Sequence, residues 1–216
     1  MKLQVGIIGL GKFGLKFGQT LIDLGHEVLG VENDPEKVKN AQHVLTQVYQ
    51  VDAMTREALE QIRIQDLEHV LISVGNSIAA SVMISMYLKE LGVAKVWVKA
   101  INEDHEKLLH KIGVEEVVIP EYMAAKQIAS RIAMPGFIDY LPFDESMAVK
   151  EFTIKQWDGK SLQELNLTNT FGIQIIAVRR NGDKRYHYIP RANEIFHEGD
   201  NFVAIGEISQ LGEVVP

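Results

Sequence analysis

Cysteine is absent from the 216 residues. Disulfides, thiolate nucleophiles and cysteine-based metal sites are therefore excluded, which fits a reducing compartment. A basic surplus is missing too: Lys and Arg total 22 against 29 Asp and Glu, a formal net charge of −7. Without such a surplus there is no field to neutralise phosphates at large, and no nucleic-acid partner is expected. The few adjacent cations, such as Arg179 and Arg180, read as a solvated face. No apolar run approaches the roughly 18–20 residues of a membrane span. Met1-Lys2 leads straight into a strand, so no leader is expected and the chain reads as soluble and cytoplasmic. Hydrophobic residues make up 46% and charged residues 24%. These are ordinary globular proportions, and the length suits one large domain or a βαβ domain with a smaller second one.

The stretch that organises the chain is Val5-Gly6-Ile7-Ile8-Gly9-Leu10-Gly11-Lys12-Phe13-Gly14. An apolar run ends in Gly-x-Gly-x-x-Gly, and an amphipathic helical pattern (Phe13, Phe17, Leu21, Leu24) follows at once. This is the strand–turn–helix that opens a dinucleotide-binding unit. Gly9 permits the tight turn, Gly11 lets the backbone approach a pyrophosphate, and Gly14 lets the helix pack on the strand. Free N–H groups and the positive end of the helix dipole would face the phosphates.

Glu32 closes the next apolar run, at the point where an acid accepts hydrogen bonds from adenosine ribose hydroxyls and repels a 2′-phosphate. NAD(H), ATP or ADP are thereby favoured over NADP. Asn33 follows, then Asp34 as N-cap and Pro35 at the first helical position. Asp52-Ala53-Met54-Thr55 sits where a third strand ends, placed to line an adenine; capping of the next helix explains Asp52 or Thr55 equally well. The run 70–74 reads as a buried parallel strand, and Val74-Gly75-Asn76 ends it where a side chain would spoil the approach of a ligand. A long helix over 77–91 carries Ile78, Val82, Met86 and Tyr87 on its apolar face. A fifth strand ends at Lys99, placed to reach a phosphate or to sit in solvent. On the helix over 103–111, His105 and His110 lie five apart and read as surface residues. The sixth strand closes at Pro120-Glu121. Six strands alternating with five helices predict a doubly wound, parallel, Rossmann-like sheet, with every feature from Gly9 to Lys99 at a strand's carboxyl edge.

Beyond a helix over 121–134, stopped by Pro135-Gly136, the pattern turns to β. Alternating runs cover 137–141 and 147–154, Ser161 and Glu164 have capping-box spacing, and strands are predicted over 173–180, 184–189 and 202–205. Asn181-Gly182 is a hairpin signal. The small β-rich domain of roughly 80 residues has a marginal core, which association with a second copy would help. A dehydrogenase would place its catalytic groups here. The candidates His187, His197, Arg179 and Arg185 show no catalytic spacing, and a second binding or dimerisation module is the better reading. An NAD-dependent oxidoreductase remains the alternative.

Taken together, several segments resemble the cytoplasmic gating subunits of bacterial Trk/Ktr potassium uptake systems, which join an RCK_N (TrkA-N-like) to an RCK_C (TrkA-C-like) domain. They include 9–14, 26–32, 52–55, 97–100, 109–121, 159–162 and 175–180, and the likeness spans essentially the whole chain. It implies an RCK_N domain over 1–120, a crossover helix over 121–135 and an α+β, β-rich RCK_C domain over 136–216. It further implies a non-enzymatic regulator: ATP or ADP, or in some members NAD(H), switches a homo-oligomeric ring of dimers, usually an octamer, against a membrane-embedded potassium channel or transporter subunit. Such a protein sits at the inner face of the membrane through its partner. The position of Lys12 is commonly arginine and touches terminal phosphates; lysine keeps the charge without the bidentate fork. That of Glu32 is commonly aspartate. By the same resemblance, Lys99 and Glu121 face a neighbouring subunit, Lys99 toward phosphate and Glu121 toward a divalent cation or Na⁺. Cyclic di-AMP at the C-terminal dimer interface, near 173–180 and 188–190, is the last implied ligand.

Overall fold

Strands that are apolar on both faces need cover on both faces, and helices provide it in the first half of this chain. A computed structural model describes residues 2–75, 77–141 and 144–216, the side chain of Glu145 excepted. The chain divides into two units, Met1–Glu121 and Tyr122–Pro216.

The first unit alternates β1 (Gln4–Ile8), α1 (Lys12–Asp23), β2 (Glu27–Glu32), α2 (Pro35–Ala41), β3 (Gln47–Gln50), α3 (Arg56–Gln61), β4 (His69–Ile72), α4 (Ile78–Glu90), β5 (Lys95–Lys99), α5 (Glu103–Lys111) and β6 (Glu116–Val118). The six strands are all parallel, in the order β3-β2-β1-β4-β5-β6. Chain direction across the sheet reverses between β1 and β4, which opens a crevice beyond their carboxyl ends. Successive residues of one strand feed opposite cores. Ile8, Val70 and Ile72 pack on one face, while Ile7, Val28 and Leu71 pack on the other. Asp34 caps α2 by accepting from the N–H groups of Glu36 and Lys37, with Pro35 at its start, as predicted.

Two expectations fail here. The buried face of α4 is Ser81, Ile84, Ser85 and Leu88, whereas Met86 is exposed. The helix is apolar nearly all round, so hydrophobicity cannot fix its rotation. The two serines hide in the core because their hydroxyls donate back to the carbonyls of Ile78 (2.8 Å) and Ser81 (2.6 Å). His105 is the second correction: only 2% of it is exposed. The Ile101 N–H donates to its Nδ1 at 3.3 Å, so the proton lies on Nε2, which meets Ser81 Oγ at 2.7 Å. Burial pushes the imidazole below its ordinary pKa. His110 is exposed, as expected.

Helix α6 (Pro120–Ala133) has no buried residue, and Met123, Ile128 and Ile132 stand in solvent. The second unit continues with β7 (Phe137–Leu141), β8 (Asp144–Thr153), α7 (Leu162–Leu165), α8 (Leu167–Phe171), β9 (Gln174–Arg179), β10 (His187–Tyr188), β11 (Asn201–Glu207) and α9 (Ile208–Glu213). Its five strands form an antiparallel sheet in the order β10-β9-β11-β8-β7. Phe202 lies at the centre of its core, with ring centroids 4.9 Å from Phe152, 5.6 Å from Trp157 and 5.8 Å from Phe196. The Ser161–Glu164 capping box forms at α7. The strand predicted over 184–189 shrinks to His187–Tyr188, because Ile189 leaves the extended region (φ 55°) and Pro190 cannot donate to a ladder. Helix α9 was not predicted; among its residues only Leu211 is buried.

Candidate functional site

The strand order dictates where a ligand can sit, and the structure has a cavity of about 570 Å³ at that place. The glycine turn forms one wall. Gly9 has φ 95°, and a Cβ there would lie 2.3 Å from the Ser73 carbonyl oxygen. At Gly14 a Cβ would lie 2.1 Å from the Gly9 carbonyl oxygen, so this glycine sets how closely α1 approaches β1 and does not itself line the cavity. Gly11 differs from both: a Cβ there would meet nothing within 4 Å, and the residue opens directly on the cavity.

Gly11 is also the N-cap of α1, so no side chain satisfies the first N–H groups of that helix, and no acid lies in its first turn. The first turns of α2, α3, α5 and α6 all hold acids. Lys12, a cation placed against the positive helix end, adds charge of the same sign. This end of the cavity is built for an anion.

At the other end Glu32 is buried, with 8% exposed. Its Oε2 accepts from the Leu10 N–H at 2.9 Å. Its Oε1 accepts from the N–H groups of Asn33 (3.0 Å) and Asp34 (3.2 Å). The carboxylate is thus fixed between the glycine turn and the start of α2. Lys37 stands 3.7 Å from Oε2, on the same wall. Beside them Val31, Val51 and Ala53 make an apolar slot, and Asp52 Oδ1 accepts from the Met54 N–H at 2.9 Å to hold the loop. Asn33, Val74 and Gly75 line the cavity, with Gly75 at φ 54°. Thr55 stands at the N-cap position of α3, without a side-chain capping bond, and does not line the cavity. Asn76 lies outside the described residues.

Near the glycine turn, Lys99 Nζ lies 2.6 Å from Glu121 Oε1 and 5.7 Å from the centroid of the Phe13 ring. Both members of this pair line the chain's own cavity. The hydrogen bond from Lys99 holds the Glu121 carboxyl below its ordinary range. Sequence reasoning passed over Lys37, Ser73, Ala80 and Ile84, all on the cavity wall. Lys37 left a readable signal, because a lysine three residues after the cap of α2 faces back toward the strand end. Among the described lining residues there is no histidine and no tyrosine.

The second unit has a smaller cavity, about 320 Å³, whose described lining carries Gln163, Asn166, Thr168 and Gln174 and no charged side chain.

Residues 5–120 match the family model of the TrkA-N domain, and residues 149–215 match that of the TrkA-C domain. The chain is 32% identical to Ktr system potassium uptake protein C of Bacillus subtilis (strain 168) over 212 residues, 98% of this chain and 95% of that protein. It is 28% identical to Ktr system potassium uptake protein A of Vibrio alginolyticus over 209 residues, 96% of this chain and 94% of that one. Among solved structures, the GsuK RCK domain aligns with a TM-score of 0.55 at 19% identity, over 97% of this chain and 45% of that chain. The GsuK channel bound to NAD aligns at 0.53 and 19% identity, over 98% of this chain and 37% of that chain. At these identities the structural likeness is one of fold.

Proposed function

This chain belongs to the family that joins a TrkA-N to a TrkA-C domain, and we propose that it is the nucleotide-sensing regulatory subunit of a bacterial potassium uptake system rather than an enzyme. The observation that carries the reading is the cavity's polarity: a fixed carboxylate at Glu32 at one end, and an uncapped helix start with Gly11, Lys12 and Lys99 at the other. These residues fit an adenine nucleotide. The apolar slot takes the base, Glu32 accepts from the ribose, and the N–H groups of α1 with Lys12 and Lys99 take the phosphates. The relatives matched over nearly the whole chain are named as potassium uptake proteins, which weighs against the oxidoreductase alternative.

ATP and ADP are the preferred ligands, and NAD(H) fits the same ends. A nucleotide shifts a regulator only by making different contacts in its two states, and the group that differs between ATP and ADP lies at the end where Lys12, Lys99 and Glu121 stand. Among the described residues no three His, Cys, Asp or Glu side chains gather as a metal site. A divalent cation or Na⁺ at Glu121 would therefore draw its remaining ligands from phosphate oxygens and water. No helix among the described residues is long and apolar enough to cross a membrane. The likeness to Ktr potassium uptake proteins supports a membrane-embedded potassium channel or transporter subunit as the partner. The apolar side chains that α6 leaves in solvent support assembly of copies into dimers and an octameric ring. Cyclic di-AMP is assigned to the second unit, where Ile173, Ile175 and Pro190 edge the smaller cavity.

A thermal-shift panel of ATP, ADP, NAD, NADH, NADP and cyclic di-AMP, with and without Mg²⁺, tests this reading. ATP and ADP are expected to raise Tm, and NADP to do so least. A Tm that none of the adenine nucleotides moves would overturn it.

A further inference from the structure

Two cations serve the phosphate end of the cavity, and they are not equally available. Lys12 is exposed. Lys99 has 18% of its side chain exposed and is engaged, at 2.6 Å, by Glu121. The carboxylate that engages it is 62% exposed, yet it too lines the cavity. An ion pair on a protein surface usually has nothing to compete with. This one is at a site whose proposed ligand is itself an anion. The Phe13 ring under the ammonium, on the second residue of α1, places Lys99 beside the same helix start that offers its N–H groups.

We propose that Glu121 is a specificity-determining residue: it stands in for a terminal phosphate on Lys99, so a nucleotide whose phosphate chain reaches Lys99 must displace it. The inference rests on the nucleotide reading above and adds a rule to it. Adenosine and AMP, anchored at Glu32 and the glycine turn, leave the Lys99–Glu121 pair intact and are indifferent to it. A triphosphate exchanges one anion for another at Lys99, and its affinity carries the cost of breaking the pair. Glu121 thereby compresses the affinity gap between long and short phosphate chains. The carboxylate it releases stays charged at neutral pH because it remains open to water.

The test is isothermal calorimetry on the full chain with adenosine, AMP, ADP and ATP in the absence of divalent cations. Glu121→Gln is expected to tighten ATP by about 5-fold and to leave adenosine and AMP unchanged, the gain being what a partly exposed ion pair costs to break. In a Lys99→Gln background the same substitution is expected to change nothing, because no ion pair remains to break. An ATP:AMP affinity ratio that Glu121→Gln leaves unchanged or lowers overturns the proposal. So does an ATP gain that persists in the Lys99→Gln background, since that would be a long-range charge effect. If wild type binds neither adenosine nor AMP, the failure is instead of the nucleotide reading itself. Because the pair is partly exposed, its loss in Glu121→Gln is expected to lower Tm by only a few degrees and to leave the fold intact, which circular dichroism checks.

Discussion

Among the described residues each unit buries one carboxylate among backbone N–H groups, and the two are finished differently. Asp200 in the second unit is 2% exposed. It accepts from the N–H groups of Asn181 (2.9 Å) and His197 (3.0 Å), and Arg180 Nη1 donates to it at 2.6 Å and to the Ile195 carbonyl, while Nη2 donates to Glu194. Burial pushes its carboxyl up, but these donors outweigh burial and hold it below its ordinary range. Glu32 in the first unit has three backbone donors against two for Asp200, yet its nearest cation, Lys37, stands off at 3.7 Å and the carboxylate faces a cavity. A buried charge with its counter-charge in hydrogen-bond contact belongs to the architecture. One that keeps its donors and lacks a close counter-charge is held ready for something else.

The sharpest break in that comparison is Arg180→Ala. It strands Asp200 in the core and is expected to cost about 3 kcal/mol of stability, read as a lower midpoint in chemical denaturation. Nucleotide affinity is expected to stay unchanged. Acid should mimic the loss. The depressed Asp200 carboxyl contributes stability that is complete above its ordinary value of 3.8 and is lost as pH falls through its folded value.

Glu32→Ala should do the reverse. Adenosine and ATP binding are expected to weaken about 10–100-fold, the equivalent of one or two charge-assisted hydrogen bonds, with a smaller fall in Tm because cavity water can satisfy the freed N–H groups. Unchanged affinity by calorimetry would reassign Glu32 to the class of Asp200.

His105 offers a third, neutral case. Its folded pKa is depressed by burial, so the unfolded chain binds the proton more readily, and stability should decline as pH falls below about 6.5. In His105→Gln, which can still donate to Ser81, that slope is expected to disappear from Tm measured between pH 7 and 5.

The smallest effect is expected from Lys37→Ala. Its pairing with Glu32 is long and its side chain is 47% exposed, so stability should move by less than about 0.5 kcal/mol. A loss as large as that from Arg180→Ala would erase the distinction between the two carboxylates.

The parallel sheet was legible because strands buried on both faces must be apolar throughout, and because glycine, Asp34-Pro35 and the strand-end acid carry local geometry in their chemistry. The carboxyl-edge positions converge for the same reason: once the alternation is read, the sheet's hand and order bring Gly9, Glu32, Ala53, Gly75 and Lys99 to one crevice. What escaped was what sequence period cannot express. The rotation of α4 depends on Ser81 and Ser85 satisfying their hydroxyls within the helix, and His105 is buried because Ser81 and the Ile101 N–H receive it. In the second unit β10 stops after two residues on a left-handed Ile189, a conformation no β-branched residue advertises. Lys37 belongs to the site through a fold-back of one helical turn, not through any motif.

The three glycines of the turn separate two kinds of selection. A Cβ at Gly9 or Gly14 would collide with backbone oxygen, so any pool of variants screened only for folding must keep both. Position 11 has extended backbone (φ −68°, ψ −172°) and open space where a side chain would point, so the same screen should let it drift. Screened for ligand response instead, the pool should fix all three. The difference between the two surviving populations at that one position would record the outline of a molecule that the chain itself does not contain.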